Sequence, residues 1–193
     1  IHDYIEKYRA VYPKLHANDS RYPTADKLQS LVKIGNIDFE GEMAYDTDGS
    51  NLIKEKLLDS NDAPIYLETW GGCNTIARAL KSIEDEYKGT AQWDSIYQKV
   101  SKKAVLYNIM DQDDTYKTYI SRVWPGIKVW YNSEQFFSLA YIWKDVVPKE
   151  QQPYFRGPWM QKNILTGYGK AYMTYGDGHH LTGDPEDTFG QPS

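Results

Sequence analysis

Residues 64–78, PIYLETWGGCNTIAR, constrain the fold more than any other stretch of this chain. A short apolar run from Ile65 breaks at Trp70-Gly71-Gly72 and restarts as an amphipathic helix through Ile76, Ala77, Leu80 and Ile83. That order reads as a strand, a tight glycine turn and a helix N-terminus. In an open parallel sheet such a junction lies at the carboxyl end of a strand, where N–H groups and short polar side chains face the crevice in which ligands bind. The segment from Ala104 to Thr115 has the same form, an apolar strand ending in Asp111-Gln112-Asp113-Asp114. Two polar strand tips joined by a helical crossover are what a parallel sheet needs to build one shared pocket.

The rest of the chain supplies elements around these two tips. Apolar spacing predicts a helix from His2 to Leu15, a second opened by Pro23-Thr24 and closed by Gly35, and a third over residues 46–60. A helix over Ala91 to Lys103 precedes the Val105 strand. A short helix from Tyr116 to Trp124 then leads into a strand at Ile127 to Trp130. Right-handed crossovers place these strands parallel and adjacent. The expected fold is α/β, an open, mainly parallel sheet with helices on both faces, in a single domain over residues 1–193. Residues 175–193, rich in Gly, Asp and Pro, are expected to form a loop-rich tail. The start at Ile1, directly into a helix, suggests a missing upstream portion that carries a first strand.

Composition narrows the partners. The 193 residues carry a net charge of −5 with Lys and Arg scattered, which argues against a nucleic-acid polyanion. No apolar run is long enough to cross a membrane as a helix. Aromatic residues reach 15%, with 17 Tyr and 6 Trp, a supply that suits sugar stacking and core packing alike. Cys73 is the single cysteine, so no internal disulfide forms. Its place at a helix N-terminus lowers a thiol pKa, but no His lies nearby in sequence and a nucleophilic role is not assigned.

Each polar cluster has a structural and a functional reading. Asp46-Thr47-Asp48-Gly49 places its glycine too early for a calcium loop and is read as a helix start capped by Asp or Ser. Asp113 or Asp114 would cap the helix at Tyr116, yet three acids plus Gln112 exceed what a cap needs, so the tip is also read as a ligand or metal contact. Asn74 and Thr75 supply an N-cap and face the point where the sheet opens. In the tail, Asp177, His179, His180, Asp184, Glu186 and Asp187 cluster, although adjacent histidines in extended chain point apart.

His2-Asp3-Tyr4, His16, Tyr22-Pro23-Thr24-Ala25, Trp70-Gly71-Gly72, Asn74-Thr75-Ile76-Ala77, Ala79-Leu80 and Asp111-Gln112-Asp113-Asp114-Thr115 together resemble the secreted bacterial proteins described as cellulose-binding and nucleoside-hydrolase-like. The resemblance covers roughly residues 1–170. It implies a nucleoside-hydrolase-like α/β fold and an extracellular or periplasmic location. In nucleoside hydrolases a calcium ion at the strand ends holds the sugar hydroxyls and a water that attacks the N-glycosidic bond. Carried over, the turn around Asn74 offers a backbone carbonyl to calcium. Asn74, Thr75, Asp111, Gln112, Asp113 and Asp114 contact the sugar, and Asp177 or Asp184 supplies a last metal carboxylate. Asp184 is favoured by the Thr188-Phe189 that follows it. The aspartate motif that supplies most metal ligands in that family would lie before Ile1, and no catalytic residue is assigned. The expected ligand is a carbohydrate or nucleoside, bound with or without N-glycosidic cleavage; the alternative is a carbohydrate-binding protein that keeps the hydrolase fold without its chemistry.

Overall fold

The computed structural model describes residues 1–133, 142–155, 159 and 162–163. The chain divides into two compact units, one of residues 33–133 and the other of residues 1–32 with residues from 134 onward. The candidate pair Asp177 and Asp184, and the whole 175–193 tail, lie outside the described residues.

Residues 33–133 hold the sheet. Strands β1 (Ile65–Thr69), β2 (Ala104–Ile109) and β3 (Lys128–Asn132) are parallel in the order β1-β2-β3. Leu67 pairs with Leu106 and Thr69 with Asn108, while Ile109 lies opposite Asn132. The register therefore brings the carboxyl ends of β1 and β2 side by side. β2 is the central strand and is buried along nearly its whole length, as its continuous apolar run requires. On one face of the sheet the rings of Tyr66 and Tyr107 both pack on Trp130.

The longer helices of this unit are α3 (Asp48–Leu58), α4 (Asn74–Tyr87) and α5 (Trp93–Lys103). α4 puts Ile76, Ala77, Leu80 and Ile83 into a core shared with Leu57, Leu67, Val100, Leu106, Ile120, Trp124 and Ile127. The spacing of those α4 residues gives the helix one apolar stripe. α5 is tied to the end of α3 by Lys103, 3% exposed, whose ammonium lies 2.5 Å from Asp59.

Two local expectations are corrected. α3 is capped by Thr47, whose side chain accepts from the Ser50 amide while Ser50 accepts from the Thr47 amide. This reciprocal box leaves the N-cap position to neither Asp46 nor Asp48. The segment after β2 starts as a π-helical turn, Tyr116–Ile120, and becomes α-helical only at Ser121–Val123.

In the other unit α1 (His2–Asn18) lies against α2 (Ala25–Leu31). Arg9 bridges Glu6 and Asp26, the Tyr8 hydroxyl donates to the Pro23 carbonyl, and Thr24 caps α2. A short helix at Trp143–Val146 keeps Trp143 2% exposed.

Candidate functional site

The two strand tips meet through Asp113. Its Oδ2 accepts the backbone N–H of Asn74, the first residue of α4, at 2.9 Å. Its Oδ1 accepts the Thr115 N–H at 3.1 Å and the Thr115 hydroxyl at 2.7 Å. An anion at a helix N-terminus satisfies an N–H that the helix leaves unpaired and opposes the positive end of its dipole. The residue at the cap position, Cys73, makes no side-chain cap bond, so the carboxylate that caps α4 comes from the neighbouring strand tip. The expectation that Asn74 or Thr75 caps this helix is thereby corrected.

The second cap is corrected as well. Asp111, not Asp113 or Asp114, receives the Tyr116 and Lys117 amides, at 3.2 and 2.9 Å, and so closes the start of the π-helical turn. Asp114 is exposed. Met110 and Asp114 have φ values of 60° and 59°, the left-handed region, so non-glycine residues bend the backbone on both sides of the acidic tip. Such residues cost on the order of 1–3 kcal/mol each and concentrate at functional sites.

Asn74 and Thr75 hold a loop instead of capping. The Asn74 side-chain amide donates to the carbonyls of Asn36 and Glu42, at 2.8 and 2.9 Å, and the Thr75 hydroxyl accepts the Asn36 N–H at 2.9 Å. Asn36, 6% exposed, donates from its own amide to the Glu42 carboxylate at 2.7 Å and to the Tyr45 carbonyl at 2.8 Å. Arg78 fastens the far side of the same loop through the carbonyls of Met43 and Ala44 and an ion pair with Asp46. The loop between α2 and α3 is thus nailed to the start of α4 by partly buried polar contacts.

Between this loop and the strand tips lies a cleft of about 450 Å³ lined by residues 36, 37 and 39–41, by Gly72 and Asn74, and by Gln112 and Asp113. Its volume falls in the range of small-molecule sites, roughly 300–1,000 Å³. Of the six sugar-contact candidates, Asn74, Gln112 and Asp113 reach the cleft. Asp111 and Thr75 act beside it as supports, and Asp114 does not line it. The loop residues Asn36, Ile37, Phe39, Glu40 and Gly41 had not been singled out. Their signal was the length of the connection itself, since a long segment without secondary structure in a compact domain is commonly a binding loop.

Glu42 anchors the loop from below at 4% exposure. The Asn36 amide, with the Ala44 and Tyr45 N–H groups, holds its carboxyl below the ordinary 4.5. A depressed carboxylate pKa contributes stability that is present above the unfolded value and lost as pH falls through the folded one. Amide protection of Ala44 and Tyr45, followed by hydrogen exchange from neutral pH downward, is expected to hold above pH 4.5 and to fall away below it. A protection profile flat through that acid range would show that Glu42 does not secure the loop.

Cys73 is fully buried, and burial, partly offset by a contact with the Thr69 hydroxyl, pushes its thiol up to about 11. The lowering expected from its place at a helix N-terminus is overridden by desolvation and by the carboxylates of Asp113 and Asp111. The Cys73 Sγ and one oxygen from each of Asp111 and Asp113 lie within 4.8 Å of one another. Calcium takes six to eight oxygen ligands. A protonated thiol and two carboxylates already engaged by helix amides do not make such a site by themselves.

Among curated proteins none matches this chain. Among solved structures it is similar to a nucleoside hydrolase-related protein from Saccharophagus degradans associated with carbohydrate metabolism. The identity is 27% and the TM-score 0.54, over 63% of this chain and 29% of that one. The family described as cellulose-binding Sde182, nucleoside hydrolase-like domain, matches residues 1–189, and the chain belongs to that family.

Proposed function

We propose that this chain binds carbohydrate in the cleft at the carboxyl ends of β1 and β2. One observation carries the reading: the glycine turn and the acidic tip, set by different strands, are bonded together through Asp113 and line one cleft with the apolar side chains of Ile37 and Phe39. A sugar ring has an apolar face and a rim of hydroxyls, and this cleft pairs an apolar wall with polar groups. Membership of a cellulose-binding family makes cello-oligosaccharides the first ligands to try.

Binding without turnover is the reading the geometry favours. The two acids of the strand tip, Asp111 beside the cleft and Asp113 lining it, are committed to helix amides. Calcium, implied by the resemblance to nucleoside hydrolases, would need further oxygen ligands such as Asp177 or Asp184. Retention on insoluble cellulose, with and without chelator, tests the proposal beside an assay for release of base from nucleosides. Retention that survives chelation, without base release, supports it. Failure to bind cellulose or soluble glucans overturns it, and chelator-sensitive release of base would replace it with N-glycosidic hydrolysis.

A further inference from the structure

We propose that the cleft discriminates by charge, accepting hydroxyl-rich uncharged sugars and rejecting anionic ones such as uronates. The inference rests on the carbohydrate reading above and concerns which groups of the cleft remain available to a ligand.

The fold uses up the donors. Both amide hydrogens of Asn36 go to Glu42 and Tyr45, and both of Asn74 go to the carbonyls of Asn36 and Glu42. Gln112 gives one of its two to the Ile109 carbonyl. A side-chain amide has two hydrogens and one acceptor oxygen, so Asn74 has only an acceptor left to offer. A carboxylate has about four acceptor positions, and Asp113 fills three of them, leaving one. Glu40 is exposed and has no hydrogen bond or ion pair with any described residue. Among the described residues, no Lys, Arg or His lines the cleft.

The cleft wall is therefore rich in acceptors, poor in side-chain donors and negatively charged through Glu40 and Asp113. A sugar hydroxyl donates to such a wall. A carboxylate or phosphate on the ligand can only accept, finds one uncommitted side-chain amide hydrogen, on Gln112, and meets like charge.

The test compares a cello-oligosaccharide with the same oligosaccharide oxidised at C6 to the uronate, titrated calorimetrically against the full chain. The neutral ligand is expected to bind about tenfold more tightly at low salt. The ratio is expected to shrink between about 0.01 M and about 1 M salt, as the Debye length falls from about 30 Å to about 3 Å. Glu40→Gln is expected to narrow the ratio at low salt, and this exposed side chain makes no hydrogen bond or ion pair among the described residues whose loss would confuse the result. Equal affinity for the two ligands overturns the charge discrimination and leaves carbohydrate binding standing. A ratio unmoved by both salt and Glu40→Gln also overturns it, since the preference then has another source. Absence of neutral binding takes down the carbohydrate reading and this inference with it.

Discussion

Replacing Gly72 by valine is expected to abolish cellulose retention and to lower stability by about 2–4 kcal/mol. A Cβ at this position would overlap the Asp113 carboxylate, with its oxygen, Cγ and Cβ all inside contact distance. Asp113 is held on three sides, by the Asn74 amide and by the Thr115 amide and hydroxyl, so it cannot swing away without giving up charge-assisted bonds. The substitution thus uncaps α4 and disrupts the cleft at once. The neighbouring glycine is the control: a Cβ on Gly71 meets nothing within 4 Å, and Gly71→Val should leave both properties close to the parent. Urea midpoints and cellulose pull-downs on the two variants measure the difference. Equal behaviour of the pair would show that the Gly72–Asp113 contact does not organise the site.

Trp124→Ala should produce the largest loss of stability, about 3–5 kcal/mol. Trp124 is 1% exposed, stacks on Tyr97 at a centroid distance of 5.2 Å and an interplanar angle of 13°, and meets the edge of Trp93 at 5.4 Å. Its indole N–H donates to the Tyr119 hydroxyl at 3.2 Å, and that hydroxyl donates to Glu84 at 3.0 Å. Burial pushes the Tyr119 phenol well above its ordinary value, which keeps it protonated as the donor in this chain of bonds. Truncation opens a cavity beside Trp93 and Tyr97 and removes the indole donor from the Tyr119 hydroxyl, which keeps its bond to Glu84. Thermal unfolding should show the midpoint falling by roughly 12–40 °C, at about 4–8 °C per kcal/mol for a unit of this size. Trp124→Phe, which keeps a ring but not the N–H, should recover more than half of the loss. A midpoint shift of only a few degrees for the alanine variant would mean that this aromatic cluster packs far more loosely than its ring distances indicate.

Much of the architecture was legible because periodicity reports local structure. The apolar run of β2, the stripe Ile76, Ala77, Leu80, Ile83 and the glycine turn at Gly71-Gly72 each describe one element, and each element is present where the pattern places it. The partnerships of the polar residues were not legible. Asp113 reads as a cap for its own helix and in fact caps α4, 39 positions away along the chain. Asn74 reads as a cap and in fact anchors a loop at Asn36, 38 positions away. Cys73 stands at a position that lowers a thiol pKa, yet its burial and two nearby carboxylates reverse the shift. In each case the local reading was overridden by groups far away in sequence: a neighbouring strand tip for Asp113, a loop for Asn74, and burial beside two carboxylates for Cys73.

The amino-acid order alone decided which segments become strands and helices, because burying one face is a property of spacing along the chain. It also decided that polar groups would crowd the ends of two strands. The tertiary structure alone decided what those groups do. Parallel pairing of Thr69 with Asn108 brings the two tips within hydrogen-bonding reach, and the loop of residues 33–47 closes over them. Which donors are then spent, and which acceptors are left for a ligand, depends on distances between residues far apart in sequence. Spacing carries no information about those distances until the sheet has formed.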